Sequence, residues 1–424
     1  MNRPIKALAL IATLVVAAAA APWAASISPG EPGETAAVAP AIEALESPTG
    51  PGANEPNFAV GPDGKVYLSW MEPAPDSAMA LRFSVLDGAR DDARWSVART
   101  IRAGRDFFVN WADFPSLAVQ ANVRMAAHWL QRFGTASYAY DVRIAQSADG
   151  GATWGTPIAP HADRSATEKG FVTLWREGNG FGVVWLDGRK ADKTAKNPIQ
   201  EMMVMTANLG AVTTTAPTEI RLDERACDCC QTTAAMTSDG PIIAYRDRSP
   251  KEIRDISVVR RVRGAWTAPV AVHADGWEIN ACPVNGPFVA ADGKRVVIAW
   301  YTAAKDIPRV KVAFSSDAGA TFSAPTTVDE GSPAGRVGAV ILKDGAALVS
   351  WIERTGGDTA SVRVRRIGAD GKAGPATTIA ASSAARASGF PRMALSGEQV
   401  YFAWTMPGRP SSVRVARAGV SEFR

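Results

Sequence analysis

The sequence predicts an all-β protein, a β-propeller of seven four-stranded blades, on three observations. An apolar strand ending in an aromatic residue recurs at residues 66–70, 125–129, 182–185, 242–245, 296–300, 347–351 and 400–404. Its spacing runs from 51 residues (Trp300 to Trp351) to 60 (Trp185 to Tyr245), a period on which each unit is one supersecondary block. A turn of the form Ser-x-Asp-x-Gly-x-Thr-aromatic occurs twice, and no helical periodicity of comparable length competes after the first 25 residues.

Residues 1–25 carry Arg3 and Lys6, an apolar run over 7–21, and small residues at Ala24 and Ala25, the layout of a cleaved secretory signal. The run is Ala-rich and short for a stable membrane span, and no later stretch is long and apolar enough for one. The expected location is therefore periplasmic or extracellular. Losing Arg3 and Lys6 takes the formal net charge from +4 to +2. No Lys/Arg block with interleaved aromatics is present, which excludes a nucleic-acid partner. Residues 26–53 are rich in Pro, Gly, Ala and Glu and read as a linker or a ring-closing strand, with the propeller over 54–424. The seventh unit stops soon after its third strand at 413–416, so the segment near 36–44 is expected to supply its last strand.

Each unit repeats one grammar. An apolar strand such as Phe58-Ala59-Val60 meets a turn such as Gly61-Pro62-Asp63-Gly64, the aromatic-tipped strand follows, and two further strands come after a polar loop. Four antiparallel strands per unit make a propeller blade, and near-continuous apolar runs suit strands covered on both faces. An open multi-sheet sandwich is the alternative; regular repetition favours the closed ring.

Ser147, Asp149, Gly151, Thr153 and Trp154 recur as Ser315, Asp317, Gly319, Thr321 and Phe322. The Asp bonds back to nearby amides, the Gly takes positive φ, and the aromatic anchors the turn. This pattern resembles the Asp box, or BNR repeat, of the sialidase superfamily. The resemblance implies six blades rather than the seven counted, a structural role for the Asp boxes, and an active site with three arginines, a tyrosine–glutamate nucleophile and an aspartate. The Arg-Ile-Pro motif that carries the first of those arginines has no match: Arg82 follows an apolar strand but lacks the proline.

Loops that enter each first strand and leave each second strand line one mouth of a propeller, where function is usually carried. All four cysteines fall there. Cys227-Asp228-Cys229-Cys230 enters the fourth unit and Cys282 the fifth. One reading is two disulfides in an exported protein. Adjacent Cys229 and Cys230 then require a strained vicinal bridge, or two bridges of which only one reaches Cys282. The other is a thiolate site for copper or zinc, with Asp228, His128 or Met71 as helpers, although C-x-C-C matches no standard zinc spacing. His161 and His273 read as surface residues.

Tyr245-Arg246-Asp247-Arg248, continuing to Glu252, Arg254 and Asp255, leaves the same fourth unit. Its arginines can hold an anionic ligand by forked hydrogen bonds, and Tyr245 beside Arg246 and Asp247 is the catalytic candidate, with packing or self-compensating ion pairs as alternatives. Arg248, Arg254, Glu278, Asn280 and Asn285 are the ligand-binding candidates. Glu72, Asp187, Arg189, Glu353 and Arg354 hold matching rim positions. The reading is an exported, monomeric, glycan-directed propeller, an exo-glycosidase or a carbohydrate binder of a glycan or small anion. A periplasmic metal or redox protein using the cysteines, and a non-catalytic scaffold, are its alternatives.

Overall fold

The computed structural model describes residues 41–88, 93–134, 136–191 and 202–424. The signal assigned to 1–25 and the segment 26–40 lie outside the described residues. Seven antiparallel sheets follow one another along the chain. Their first strands are Asn54–Val60, Ser116–Val119, Lys169–Glu177, Thr233–Thr237, Phe288–Asp292, Pro333–Ile341 and Arg392–Ser396. Each first strand contacts the next, and the seventh contacts the first, which closes the ring and leaves only short outer edges on the blades.

The second strand of each blade is the aromatic-tipped one: Val66–Ala74, Met125–Arg132, Gly180–Asp187, Gly240–Arg246, Arg295–Thr302, Ala347–Gly356 and Gln399–Met406. It is sandwiched between neighbouring blades, so both faces are apolar and Trp70, Trp129, Trp185, Trp300 and Trp351 are almost completely buried. Burying an indole leaves its N–H in need of a partner. Trp70 Nε1 donates to Glu72 Oε2 at 2.6 Å, Trp185 to Asp187 Oδ2 at 2.9 Å and Trp351 to Glu353 Oε2 at 2.5 Å. Three of the presumed rim charges are thus strand residues committed to the tryptophan two positions earlier.

The seventh blade takes its fourth strand from Glu43–Leu45, paired with Ser412–Gly419 in the register Glu43–Arg417, Ala44–Ala416, Leu45–Val415. Arg417 Nε and Nη2 each reach the Glu43 carboxylate at 2.8 Å. The second blade departs from the four-strand expectation. After Tyr140–Ser147 its outer edge is a single bridge between Ile144 and Ile158. Pro157 and Pro160 flank Ile158 and lack the N–H a ladder needs.

Both Ser-x-Asp turns follow the third strands of blades 2 and 5 and adopt one hydrogen-bonded form. Ser147 Oγ donates to Asp149 Oδ1 at 2.8 Å and accepts from the Gly151 amide at 2.8 Å, while Asp149 accepts from the Thr153 amide and hydroxyl at 2.9 and 2.6 Å. The second copy repeats these bonds within 0.1 Å: 2.7, 2.9, 2.9 and 2.7 Å. Gly151 sits at φ +82°, where a Cβ would also lie 2.5 Å from the Phe83 ring, so glycine is required twice over. Among the described residues no helix is long and apolar enough to cross a membrane.

Candidate functional site

The seven first strands enclose an axial cavity of about 190 Å³. Asn57, Ser116, Thr173, Gln231, Thr232 and Thr233 give it polar walls, and Phe114, Phe288 and Phe390 give it aromatic ones. Arg392, at the start of the seventh blade, brings the one arginine of this lining. Its guanidinium stands 4.8 Å over the Phe114 ring and 5.4 Å from the Phe288 centroid. It forms no ion pair or hydrogen bond among the described residues. Burial lowers its pKa to about 10, which leaves it charged at neutral pH.

A collar of side-chain to backbone hydrogen bonds holds the blades together around this cavity. Asn57 Nδ2 donates to the Pro115 carbonyl (3.0 Å), Asp113 Oδ1 accepts from the Phe171 amide (2.7 Å), Gln231 Oε1 from Gly286 (2.9 Å) and Asn285 Oδ1 from Arg336 (2.7 Å). Two of these bonds have a topological cause. First strands shift register where they enter blades 1, 3 and 6, and in blades 3 and 6 the Phe171 and Arg336 amides at the shift are satisfied by Asp113 and Asn285. Glu55, Phe171 and Arg336 sit at φ between +52° and +58° at those shifts.

Beside the collar lies an acidic patch that no motif announced. Glu55 and Asp113 are pushed well above the usual carboxylate range, foremost by burial, and Glu168 to about 7 for the same reason. Tyr140 donates its phenol hydrogen to Glu168 Oε1, and its ring stacks on Phe108 with centroids 3.9 Å apart. Tyr140 is 1% exposed, so the phenol of this tyrosine–glutamate pair is closed to a substrate. Asp113, Glu168 and Arg392 lie in or beside loops that enter first strands, the loops that line the mouth, but they share no local pattern that singles them out in the sequence.

The cysteines converge in the sector between blades 4 and 5. All four are free thiols; Cys227 and Cys230 are buried, Cys229 half-buried and Cys282 exposed. No disulfide joins them: Cys227 Sγ lies 3.2 Å from Cys230 Sγ and 3.9 Å from Cys229 Sγ. Arg254 Nη1 stands 3.2 Å from Cys227 Sγ and 3.2 Å from Asp228 Oδ1. Burial raises the Cys227 pKa, but hydrogen bonds from the Cys229 and Cys230 thiols, with Arg254 and Arg246 nearby, outweigh it and hold the group well below its ordinary value.

Several candidates take other roles. Arg246 is buried, stacks 4.8 Å over Trp277, and donates to the Asn285, Arg254 and Tyr301 carbonyls, so it is a strut between loops rather than an anion receptor. Tyr245 points into the packing between blades 3 and 4 and donates to Asp223, and burial raises its pKa, which opposes a nucleophilic role. Asp247 accepts from the Arg248 amide and the Ser257 hydroxyl. Arg248 pairs with Glu252 at 2.9 Å, and Arg254 with Glu252 at 3.1 Å. Asn285 is a collar residue, and Glu278 and Asn280 are exposed on the loop.

His128 is buried in blade 2, accepts from the Ser116 amide through Nδ1 at 3.1 Å, and is driven by burial to a pKa of about 3; it joins neither group of residues able to share a metal. Met71 packs in the apolar core between blades 1 and 2. His161, expected at the surface, is fully buried with Nε2 3.4 Å from Asp141 Oδ1. His273 is 39% exposed at its side chain.

Comparison with known proteins fits this architecture. No family model matches the sequence, and no curated relative is similar to it. Among solved structures, the chain is similar to the BP39L lectin of Burkholderia pseudomallei, with TM-score 0.57 at 13% identity, covering 87% of this chain and 94% of that one. Looser likenesses include the endosialidase of phage phi92 (TM-score 0.48, 9% identity, 89% and 68% covered) and the α-L-arabinanase of Penicillium chrysogenum (0.45, 13%, 91% and 98%). At these identities the likeness is one of fold. The chain is a seven-bladed β-propeller in architecture.

Proposed function

We propose that this protein is a glycan-directed propeller that binds the acidic end of a saccharide at the axial cavity. One observation carries the reading: Arg392 presents a charged guanidinium to the cavity with its donors uncommitted, whereas Arg246 and Arg336 spend theirs on carbonyls and a hydroxyl. A carboxylate accepts a forked pair of such bonds. Phe114, half-buried, and Phe390 belong to the same lining and give apolar surface against which a sugar ring can pack. The volume of about 190 Å³ is below the ~300 Å³ of small-molecule pockets and suits one terminal acidic residue rather than a chain threaded through. Similar architecture in a protein described as a lectin is compatible with this use of the ring.

Binding is favoured over hydrolysis. Tyr140 is closed off, Glu55 is buried, and among the described residues Asp113 is the single carboxyl group in the cavity lining, where glycoside cleavage requires two. The test is calorimetric titration with N-acetylneuraminate, glucuronate and glucose. The acids are expected to bind and glucose not to, and Arg392→Met is expected to weaken the acids by at least about tenfold, or roughly 1.4 kcal/mol. Equal binding of acid and neutral sugar, or indifference to Arg392→Met, overturns the reading. Turnover of an aryl sialoside by the wild-type protein overturns its restriction to binding. Export, expected from residues 1–25, is part of the proposal and is checked by fractionating cells that express the full chain.

A further inference from the structure

The cysteine sector is remote from the axial arginine in chemistry, and glycan binding makes no use of it. Cys227, Cys229 and Cys230 have their sulfurs within 4.8 Å of one another, and Asp228, Cys229 and Cys282 form a second group at the same limit, sharing Cys229. Three thiolates around one ion at about 2.3 Å stand about 3.8–4.0 Å apart. The Cys227–Cys229 separation of 3.9 Å already has that value, and the Cys227–Cys230 separation of 3.2 Å reaches it by a shift of well under an ångström.

We infer that Cys227, Cys229 and Cys230 form a trithiolate site for a soft d10 cation, Cu(I), with Cys282 and Asp228 as its outer port. Three lines of geometry support it. Sulfur-only ligation selects soft ions over hard divalent ones. Three thiolates and one Cu(I) carry a net charge of −2. Arg254, 3.2 Å from Cys227 Sγ, sets a positive charge against the sulfurs while also pairing with Asp228 and Glu252, and the buried Arg246 guanidinium, held on the Asn285, Arg254 and Tyr301 carbonyls, adds a second to the same sector. Glu252 and Asp228 in turn fix the Arg254 guanidinium, an outer shell of the kind that orients ligands.

Burial is graded along the path. Cys282 is exposed with its sulfur 3.8 Å from Asp228 Oδ1, Cys229 is half-buried, and Cys227 and Cys230 are enclosed. An arriving ion would meet Cys282 and Asp228 first, pass to the shared Cys229, and end between the enclosed sulfurs. Each thiol that becomes a ligand gives up its proton, so uptake releases protons and changes no oxidation state.

The probe is Cu(I), added anaerobically to reduced full-length protein against a chromophoric Cu(I) chelator, with X-ray absorption to count ligands. One equivalent is expected, with sulfur scatterers alone near 2.3 Å. Cys230→Ser is expected to cost at least about 100-fold in affinity, since outer-shell losses alone reach that scale. Cys282→Ser, at an exposed position that leaves folding intact, is expected to keep the equilibrium affinity and slow the uptake. Nitrogen or oxygen ligation, indifference to Cys230→Ser in a protein with an unchanged thermal melt, or a reducible Cys227–Cys230 disulfide whose opening brings no copper uptake each overturns the inference. A preference for Zn(II) that depends on Cys282, with no Cu(I) bound, overturns the copper assignment.

Discussion

Asp187 Oδ2 accepts the indole hydrogen of Trp185 at 2.9 Å while Oδ1 accepts from the Arg189 amide at 3.0 Å, and the carboxylate has no solvent exposure. Burial by itself raises the Asp187 pKa; the Arg189 and Trp185 hydrogen bonds outweigh it and hold the group below the usual range. The carboxylate therefore fastens the aromatic tip of the third blade to its exit loop. Asp187→Ala, which strands a buried N–H and an arginine, is expected to cost about 3 kcal/mol in urea unfolding. Asp187→Asn, which keeps an acceptor, is expected to cost less; equal costs would deny the indole bond a role.

Glu168 makes stability fall as pH rises. Its folded pKa of about 7, lifted foremost by burial, exceeds its ordinary value of 4.5, so the folded state holds a proton that the unfolded chain has already lost. The resulting penalty begins above the unfolded pKa and is complete once pH passes the folded one. Glu168→Gln retains an acceptor for Tyr140 and removes the penalty. Its melting temperature relative to wild type is expected to rise between about pH 5 and about pH 8, by an amount corresponding to up to roughly 3 kcal/mol. A constant difference across that range refutes the assignment.

Asp317 has the opposite sign. Burial, the largest single influence, raises its pKa, but hydrogen bonds from the Thr321 amide, Ser315 and the Thr321 hydroxyl together outweigh it and bring the group to about 2. Its contribution is present above the unfolded value and is lost as pH falls toward about 2. Asp317→Ala is expected to cost about 1 kcal/mol near neutrality, the scale of other side-chain caps, and the gap to wild type should close by about pH 2. A gap that persists in acid would place the cost elsewhere.

Arg246 and Arg392 separate stability from binding. Arg246→Met leaves the Asn285, Arg254 and Tyr301 carbonyls short of a donor and is expected to lower stability by about 3 kcal/mol. Arg392→Met removes no such bond and should leave chemical denaturation within about 1 kcal/mol of wild type. A reversal of these two results in paired denaturation curves would exchange the roles of strut and receptor.

Much of the ring was written in local pattern. Seven aromatic-tipped strands, each needing cover on both faces, determine the number and identity of the second strands, and the Ser147–Trp154 and Ser315–Phe322 turns lie within single hairpins, so short-range sequence suffices for them. The same local view brought Cys227, Cys229, Cys230 and Cys282 to one sector, because adjacent loops of a propeller share a rim. It did not show that Arg246 faces carbonyls while Arg392 faces a cavity. Both are arginines at strand ends, and their difference lies in partners 39 and 55 residues from Arg246. Asp113, Glu168 and Tyr140 likewise met only when blades 2 and 3 closed on one another. Local sequence determined the strands and turns, whose interactions repeat within each blade. Tertiary structure alone decided burial and pairing at the axis, because there the partners of Asn57, Asp113, Gln231, Asn285 and Tyr140 come from a different blade.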